Sequence, residues 1–312
     1  MTPPRLLLVD TDTASDDAIA LLMALRHPGV EVLALTVVAG NVPLDQAVQN
    51  ALYTRDLAGS QVPVYAGCAA PLLQPLHTAQ YVHGTDGMGD IGLDLRGRAP
   101  APGHAVDILV ETILAHPPGA ITLVTLGPLT NVAVALGREP ELAARLERIV
   151  VMGGTGDGVG NVSAVAEFNV WADPEAAAIV FACGASITMV GWDISRTYAA
   201  FGPDDAETLR ALGPLGAFSV DIQATLAQFA LAETHLPGFD LPDPIAMAVA
   251  LDDTVATRTE HLNVVVETRG EHTRGETVVD HLGIAKRAPN VHVVLEASRE
   301  RFLAVLHAAL TT

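Results

Sequence analysis

The chain has 312 residues, half of them apolar, a formal net charge of −19 and two cysteines, Cys68 and Cys183. So acidic a surface repels phosphate backbones and anionic lipid, which excludes nucleic acid and membrane as partners and favours a cation or a neutral ligand. Two cysteines make no disulfide framework, no charged leader precedes the first strand, and no apolar run is long enough to span a bilayer, so a reduced, cytoplasmic protein is expected.

Leu6 to Val9 has the composition of a buried parallel strand. It ends in four aspartates within eight positions, Asp10, Asp12, Asp16 and Asp17. Ser15 reads as an N-cap and Asp16 to Arg26 as a helix, with apolar residues at Ala18, Ile19, Leu21, Leu22 and Leu25. The acids thus occupy a turn at the carboxyl end of a strand, where open α/β sheets place ligands. Carboxylates this crowded repel one another, and some stay protonated unless a cation joins them. Acids that merely complement the helix dipole would account for Asp16 and Asp17 but leave Asp10 and Asp12 without a role. An EF-hand is excluded by position. Counted from Asp10, the fifth residue is Ala14, the sixth is Ser15 rather than Gly, and the twelfth is Leu21 rather than Glu. The turn reads as half of a divalent-metal site.

Glu31 to Ala39 reads as a strand, Pro43 to Leu57 as a helix and Val62 to Tyr65 as a short strand. Residues 67–103, rich in Gly, Pro, His and Asp, form a long loop of the kind that usually carries function. Alternation then resumes: helix Ala105 to Ala115, strand Ala120 to Leu126, helix Leu129 to Leu136, strand Arg148 to Met152. A helix follows from Asp173-Pro174 through Cys183, and then a strand from Ser186 to Val190. Helices at Asp204 to Leu212, Leu215 to Ala232 and Pro244 to Leu251 come next. Strands at Leu262 to Glu267 and Val291 to Leu295 and a closing helix at Ser298 to Leu310 complete the chain. The alternation predicts one α/β domain over 1–312, an open, mostly parallel central sheet with helices on both faces and helical insertions at one end.

A hard cation such as Ca²⁺ takes six to eight oxygen ligands, so further donors belong just past the ends of other strands. The Leu126-Gly127-Pro128 turn can present a main-chain carbonyl. Asn161, Glu167 and Asn169 cluster after Met152-Gly153-Gly154, and amides beside a carboxylate suit sugar hydroxyls. Asp243, between Pro242 and Pro244, reads as the N-cap of an apolar helix, a position compatible with ligation.

Together these pieces resemble the inosine–uridine-preferring nucleoside hydrolase family. The resemblance is carried by Asp10-Thr11-Asp12-Thr13-Ala14-Ser15-Asp16-Asp17, Gly40-Asn41, His83-Gly84 and Gly127-Pro128-Leu129-Thr130-Asn131. Met152-Gly153-Gly154, Ala166-Glu167-Phe168-Asn169, Asp243-Pro244 and the segment from Thr273 to Asp280 continue it. It implies hydrolysis of the N-glycosidic bond of ribonucleosides, with Ca²⁺ held by Asp12, Asp17, Asp243 and the Leu126 carbonyl. Asp12 is implied as the general base toward a Ca²⁺-bound water. Asp16, Asn41, Met152, Asn161, Glu167 and Asn169 are implied to hold the ribose, and Asp10 to keep the acids in order. A homo-oligomer, dimer or tetramer, is also implied. One departure stands out: many family members carry a His before the late metal-binding Asp that helps the base leave, and here that position is Pro242. His83 and His235 become the candidates for protonating the base, and Trp192 for stacking on it.

Two other classes compete. Leu8-Val9-Asp10-Thr11-Asp12-Thr13 also resembles the opening motif of haloacid-dehalogenase-type phosphatases, and Gly89-Asp90-Ile91-Gly92-Leu93-Asp94 imitates their late acidic motif. That motif should follow a basic residue far downstream, whereas the sole lysine is Lys286. A non-catalytic Ca²⁺-dependent sugar-binding protein is the third class, and retention of Asp12 argues against it.

Overall fold

A computed structural model describes residues 3–311, apart from 235, 237 and the side chain of Thr234. Eight strands form the central sheet: β1 Arg5–Thr11, β2 Val30–Val37, β3 Val64–Ala66, β4 Ile121–Thr125, β5 Arg148–Met152, β6 Ile187–Val190, β7 Ala256–Leu262 and β8 Val291–Ala297. Their order is β3-β2-β1-β4-β5-β6-β8-β7. All neighbouring pairs are parallel except β8 with β7, which closes one edge antiparallel. The mostly parallel α/β sheet expected from the alternation is therefore present.

Strand residues alternate between two cores, Leu7 and Val9 facing one and Leu8 the other. The first core is covered by helices Ser15–Arg26, Leu44–Leu57, Pro242–Leu251 and Arg299–Leu310, the second by Ala105–Ala115, Thr130–Arg138 and Pro174–Phe181. Helices Pro203–Arg210, Pro214–Asp221 and Ala224–Phe229 form the insertion that leads to Pro242–Leu251. Among the described residues no single helix is long and apolar enough to cross a membrane; only the bent pair Pro214–Asp221 and Ala224–Glu233 reaches that length together.

The chain leaves β1 toward β2 on one side and later returns to β4 on the other. The carboxyl ends of β1 and β4 thus diverge at a topological switch point, which opens a crevice there. Asp10 lies at that point, paired in register with Thr36 of β2 and Thr125 of β4.

Four local expectations are corrected. Ser15 is the first residue of its helix rather than the cap, because its hydroxyl is taken by tertiary partners. Asp243 does not cap its helix, which already begins at Pro242. The stretch expected as one helix from Leu215 to Ala232 breaks after Asp221, resumes at Ala224 and ends in a π-helical turn, Ala230–Thr234. The strand expected from Leu262 to Glu267 is split: Leu262 ends β7, and Val264–Val266 pairs antiparallel with Thr277–Val279 in a separate ribbon.

Candidate active site

Every side chain from Asp10 to Asp17 is buried. Asp10 Oδ2 accepts from Thr36 Oγ1 at 2.6 Å and Asn131 Nδ2 at 2.8 Å, so β2 and the helix after β4 both grip it. Asp12 Oδ2 accepts from the Asn41 amide at 2.6 Å. Asp17 accepts from Thr11 Oγ1 at 2.5 Å and from the Ala14 amide at 2.9 Å, which supplies the helix start that Ser15 does not. Carboxylate oxygens of Asp16, Asp17 and Asp243 lie within 4.8 Å of one another. That compact group contains Asp16, whereas the sequence expectation placed Asp12 with Asp17 and Asp243. Asp12 adjoins the group closely enough for its charge to act on Asp243.

Burial, the larger effect, and repulsion from Asp17 push Asp12 and Asp243 well above the ordinary carboxylate range. Burial raises Asp10 and Asp16 to about 7 and Asp17 to about 6. Asp10 Oδ1, Asp12 Oδ1 and Asp16 Oδ1 are buried with no hydrogen-bond partner. Buried acids that repel one another and keep orphaned oxygens form a donor set suited to a hard divalent cation.

Two glycines make room for Asp12. A Cβ on Gly40 would fall 2.1 Å from Asp12 Oδ2, and one on Gly127 would fall 2.6 Å from Oδ1. Both carboxylate oxygens are thus pressed against bare backbone.

Above the acids lies a cleft enclosing about 740 Å³, including the part open to solvent, a size suited to a small ligand. Asp16, Asn41, Leu126, Met152, Asn161, Glu167, Asn169, Trp192 and Asp243 line it together, whereas Asp10, Asp12 and Asp17 are not among its lining residues. Tyr81 and Phe229, edge to face at 5.6 Å, form its more exposed rim, and no sequence signal marked either.

The polar lining is braced from behind. Glu167 caps Phe168–Ala172, accepting from the amides of Asn169, Val170 and Gly154; burial nevertheless raises its carboxyl to about 7. Asn169 Nδ2 donates to the Leu126 carbonyl at 2.7 Å and lies 3.2 Å from Met152 Sδ. Asn161 Oδ1 accepts from the Phe168 amide. The Thr273–Asp280 segment supports this loop from outside: Thr277 Oγ1 bonds both the amide and the carbonyl of Thr155.

Trp192 Nε1 donates to Asp240 Oδ2 at 3.0 Å, and Ser195 Oγ donates to the same oxygen at 2.8 Å. Asp240 also lines the cleft and was missed by sequence reasoning. An unexplained acid three residues before Asp243 was the available signal. His83 lines the cleft, and burial lowers its imidazole to about 4, so the ring is neutral at pH 7. His235 lies outside the described residues. The phosphatase-like Gly89–Asp94 stretch belongs to the loop, where Asp90 accepts from the amides of Thr85 and Asp86.

A family model described as inosine-uridine preferring nucleoside hydrolase matches residues 7–304. The chain is 40% identical over 280 residues to an inosine-uridine preferring nucleoside hydrolase from Leishmania major, covering 89% of this chain and 88% of that one. It is 37% identical over 303 residues to a pyrimidine-specific ribonucleoside hydrolase from Salmonella arizonae, covering 96% of each. Its fold is similar to that of a solved plant nucleoside hydrolase, with a TM-score of 0.92 at 33% identity, covering 99% of this chain and 100% of the other.

Proposed function

Because the chain belongs to the inosine-uridine preferring nucleoside hydrolase family, we propose that it cleaves ribonucleosides to free base and ribose with Asp12 as general base beside a Ca²⁺ ion. The observation that carries this reading is the Asp12 carboxylate, buried at the switch point with one oxygen anchored and the other without a partner. Asp12, Asp17, Asp243 and the Leu126 carbonyl would hold the ion, with Asp16 beside them. Leu126 O already accepts from Asn169, and a carbonyl oxygen has a second lone pair to offer. When bound, Ca²⁺ would acidify a water and clamp vicinal sugar hydroxyls.

Asp12 Oδ1 then receives the proton of the attacking water, while Asn41 N holds Oδ2 and stops the carboxylate from rotating. Asp16, Asn41, Met152, Asn161, Glu167 and Asn169 orient the ribose, with Glu167 and Asn169 held by the bonds described above. N-glycoside cleavage develops positive charge on the ring, which the surrounding carboxylates favour. Asp10 keeps its place through Thr36 and Asn131 and steadies the turn that carries Asp12.

Incubation with uridine, inosine and a sugar phosphate tests the reading. Release of free ribose is expected. Release of phosphate would favour the phosphatase class, and binding of nucleosides without turnover would favour a sugar-binding protein. The relatives include both an inosine-uridine preferring and a pyrimidine-specific enzyme, so both base classes belong in the panel.

The cation has a thermodynamic signature of its own. In chelated protein, carboxyls raised from 3.8 to about 7 bind more protons folded than unfolded. Stability should therefore fall as pH rises from about 4 to about 7. Added Ca²⁺ should restore it, by about 2.7 kcal/mol at a hundredfold excess over Kd. Thermal melts across that pH range, with chelator and with Ca²⁺, check both signs. A melt unmoved by Ca²⁺, Mg²⁺ and Mn²⁺ alike at pH 7 would argue against any ion in this cluster.

A further inference from the structure

His83 Nδ1 lies 2.9 Å from Ser15 Oγ and 3.7 Å from Asp16 Oδ1. Ser15 Oγ is in turn 2.9 Å from Gln223 Oε1, and all of these side chains are buried. The hydrogens along this chain follow from what each atom is able to do. The Gln223 amide is set with its oxygen toward Ser15 and its Nε2 buried without a protein partner; in that orientation the oxygen only accepts, so the Ser15 hydroxyl hydrogen points at Gln223. Ser15 Oγ then offers His83 only lone pairs, and Nδ1 must carry the ring proton. Ionised Asp16, the form a neighbouring cation favours, selects the same tautomer by a separate route, since the opposite one sets an unprotonated nitrogen 3.7 Å from a carboxylate oxygen. Turning the Gln223 amide over would make Ser15 donate to Nδ1 and produce that unfavourable pairing. With Nδ1 protonated, Nε2 keeps its lone pair. Among the described residues the hydrogen bond of the His83 ring is the one at Nδ1, and His83 lines the cleft.

We propose that Ser15 and Gln223 are positioning residues that hold His83 as the Nδ1–H tautomer, so that Nε2 accepts a hydrogen bond from a nucleobase N–H. The site then selects bases that carry such a donor, the imide N–H of uracil or the lactam N–H of hypoxanthine, over their N-methylated forms. His83 is a specificity residue in this arrangement, and the proton for the departing base comes from another source. The selection rests on the nucleoside reading above; the tautomer does not.

Two measurements separate these parts. In protein labelled with ¹⁵N-histidine, long-range ¹H–¹⁵N correlations should show His83 protonated at Nδ1 and bare at Nε2; the reverse assignment overturns the proposal. Gln223→Leu frees the Ser15 hydroxyl and should mix the tautomers, whereas Gln223→Glu keeps an accepting oxygen and should restore Nδ1–H. An unchanged spectrum in Gln223→Leu removes the positioning role. For selection, kcat/KM is compared for uridine against 3-methyluridine and inosine against 1-methylinosine. Methylation of the preferred nucleoside should cost the wild-type enzyme roughly ten- to a hundredfold, and His83→Phe should bring that ratio close to one. A ratio that survives His83→Phe overturns the base contact. So does a His83→Phe effect that disappears with a 5′-deoxynucleoside, since the donor is then the sugar hydroxyl. Absence of turnover on every nucleoside overturns the hydrolase reading and the selection with it, while the labelled histidine still reports the tautomer.

Discussion

Asp12→Asn is expected to lower kcat on the preferred nucleoside by about 10²–10⁴-fold, the range for loss of a general base, in a protein that remains folded. The amide is nearly isosteric, and its oxygen can still accept from Asn41 N, so the turn keeps its shape. What disappears is the proton acceptor. The effect on stability has the opposite sign. Burial and the neighbouring Asp17 disfavour ionised Asp12 in the fold, so a neutral side chain there should raise the melting temperature of chelated protein at pH 7. The melting increment from Ca²⁺ should shrink, because an amide oxygen is a weaker ligand than a carboxylate. Asp12→Ala should cost more activity than Asp12→Asn, since it also abandons Asn41. Reducing-sugar release and melts with and without chelator measure all of this. A mutant that turns over within tenfold of wild type would show that the base is some other residue.

Much of this architecture was legible because its signals are local. Ala105–Ala115 and Arg148–Met152 have the ends that the sequence predicts, since an apolar helix and an apolar strand with plain breakers at both ends need no tertiary information. β7 was missed because it is the antiparallel edge: Ala256–Leu262 reads ATRTEHL, largely solvent-facing, with no apolar alternation to find. Phe168–Ala172 was missed because Glu167 caps it through a side chain outside the usual capping set. The acids of the first turn were legible as a cluster because four carboxylates fall within eight positions at one strand end, and the structure buries all four. The compact trio of Asp16, Asp17 and Asp243 depends instead on side-chain directions across a gap of more than 200 residues, which spacing does not encode. The same holds for Ser15 and Gln223. Ser15 looked like a cap by type and position, and only the partner that approaches it reveals that its hydroxyl is otherwise engaged.

Gly40→Ala is expected to reduce kcat by about 10²-fold, far beyond what one methyl group ordinarily does at a buried position. The added Cβ would lie 2.1 Å from Asp12 Oδ2 and 2.7 Å from Pro128 Cδ, so some group must shift. Pro128 is a ring fixed in the turn after β4, and Gly127 closes on the other carboxylate oxygen, with its own Cβ position 2.6 Å from Oδ1. Asp12 is therefore the group displaced, and its bond to Asn41 N breaks with it. A shift of about 1 Å in a group that must meet the attacking water is worth about two orders of magnitude in rate, because the reacting atoms leave their near-attack geometry. Substrate affinity should change much less, since the amides at Asn161 and Asn169, proposed to hold the ribose, are braced independently. Gly137→Ala supplies the comparison. It lies within helix Thr130–Arg138 with nothing inside 4 Å of the added carbon, so it should leave turnover intact and add about 0.5–1 kcal/mol of stability. Should Gly40→Ala keep full kcat with an unchanged melt, the close packing around Asp12 would be irrelevant to turnover, and the geometric half of the general-base assignment would fall.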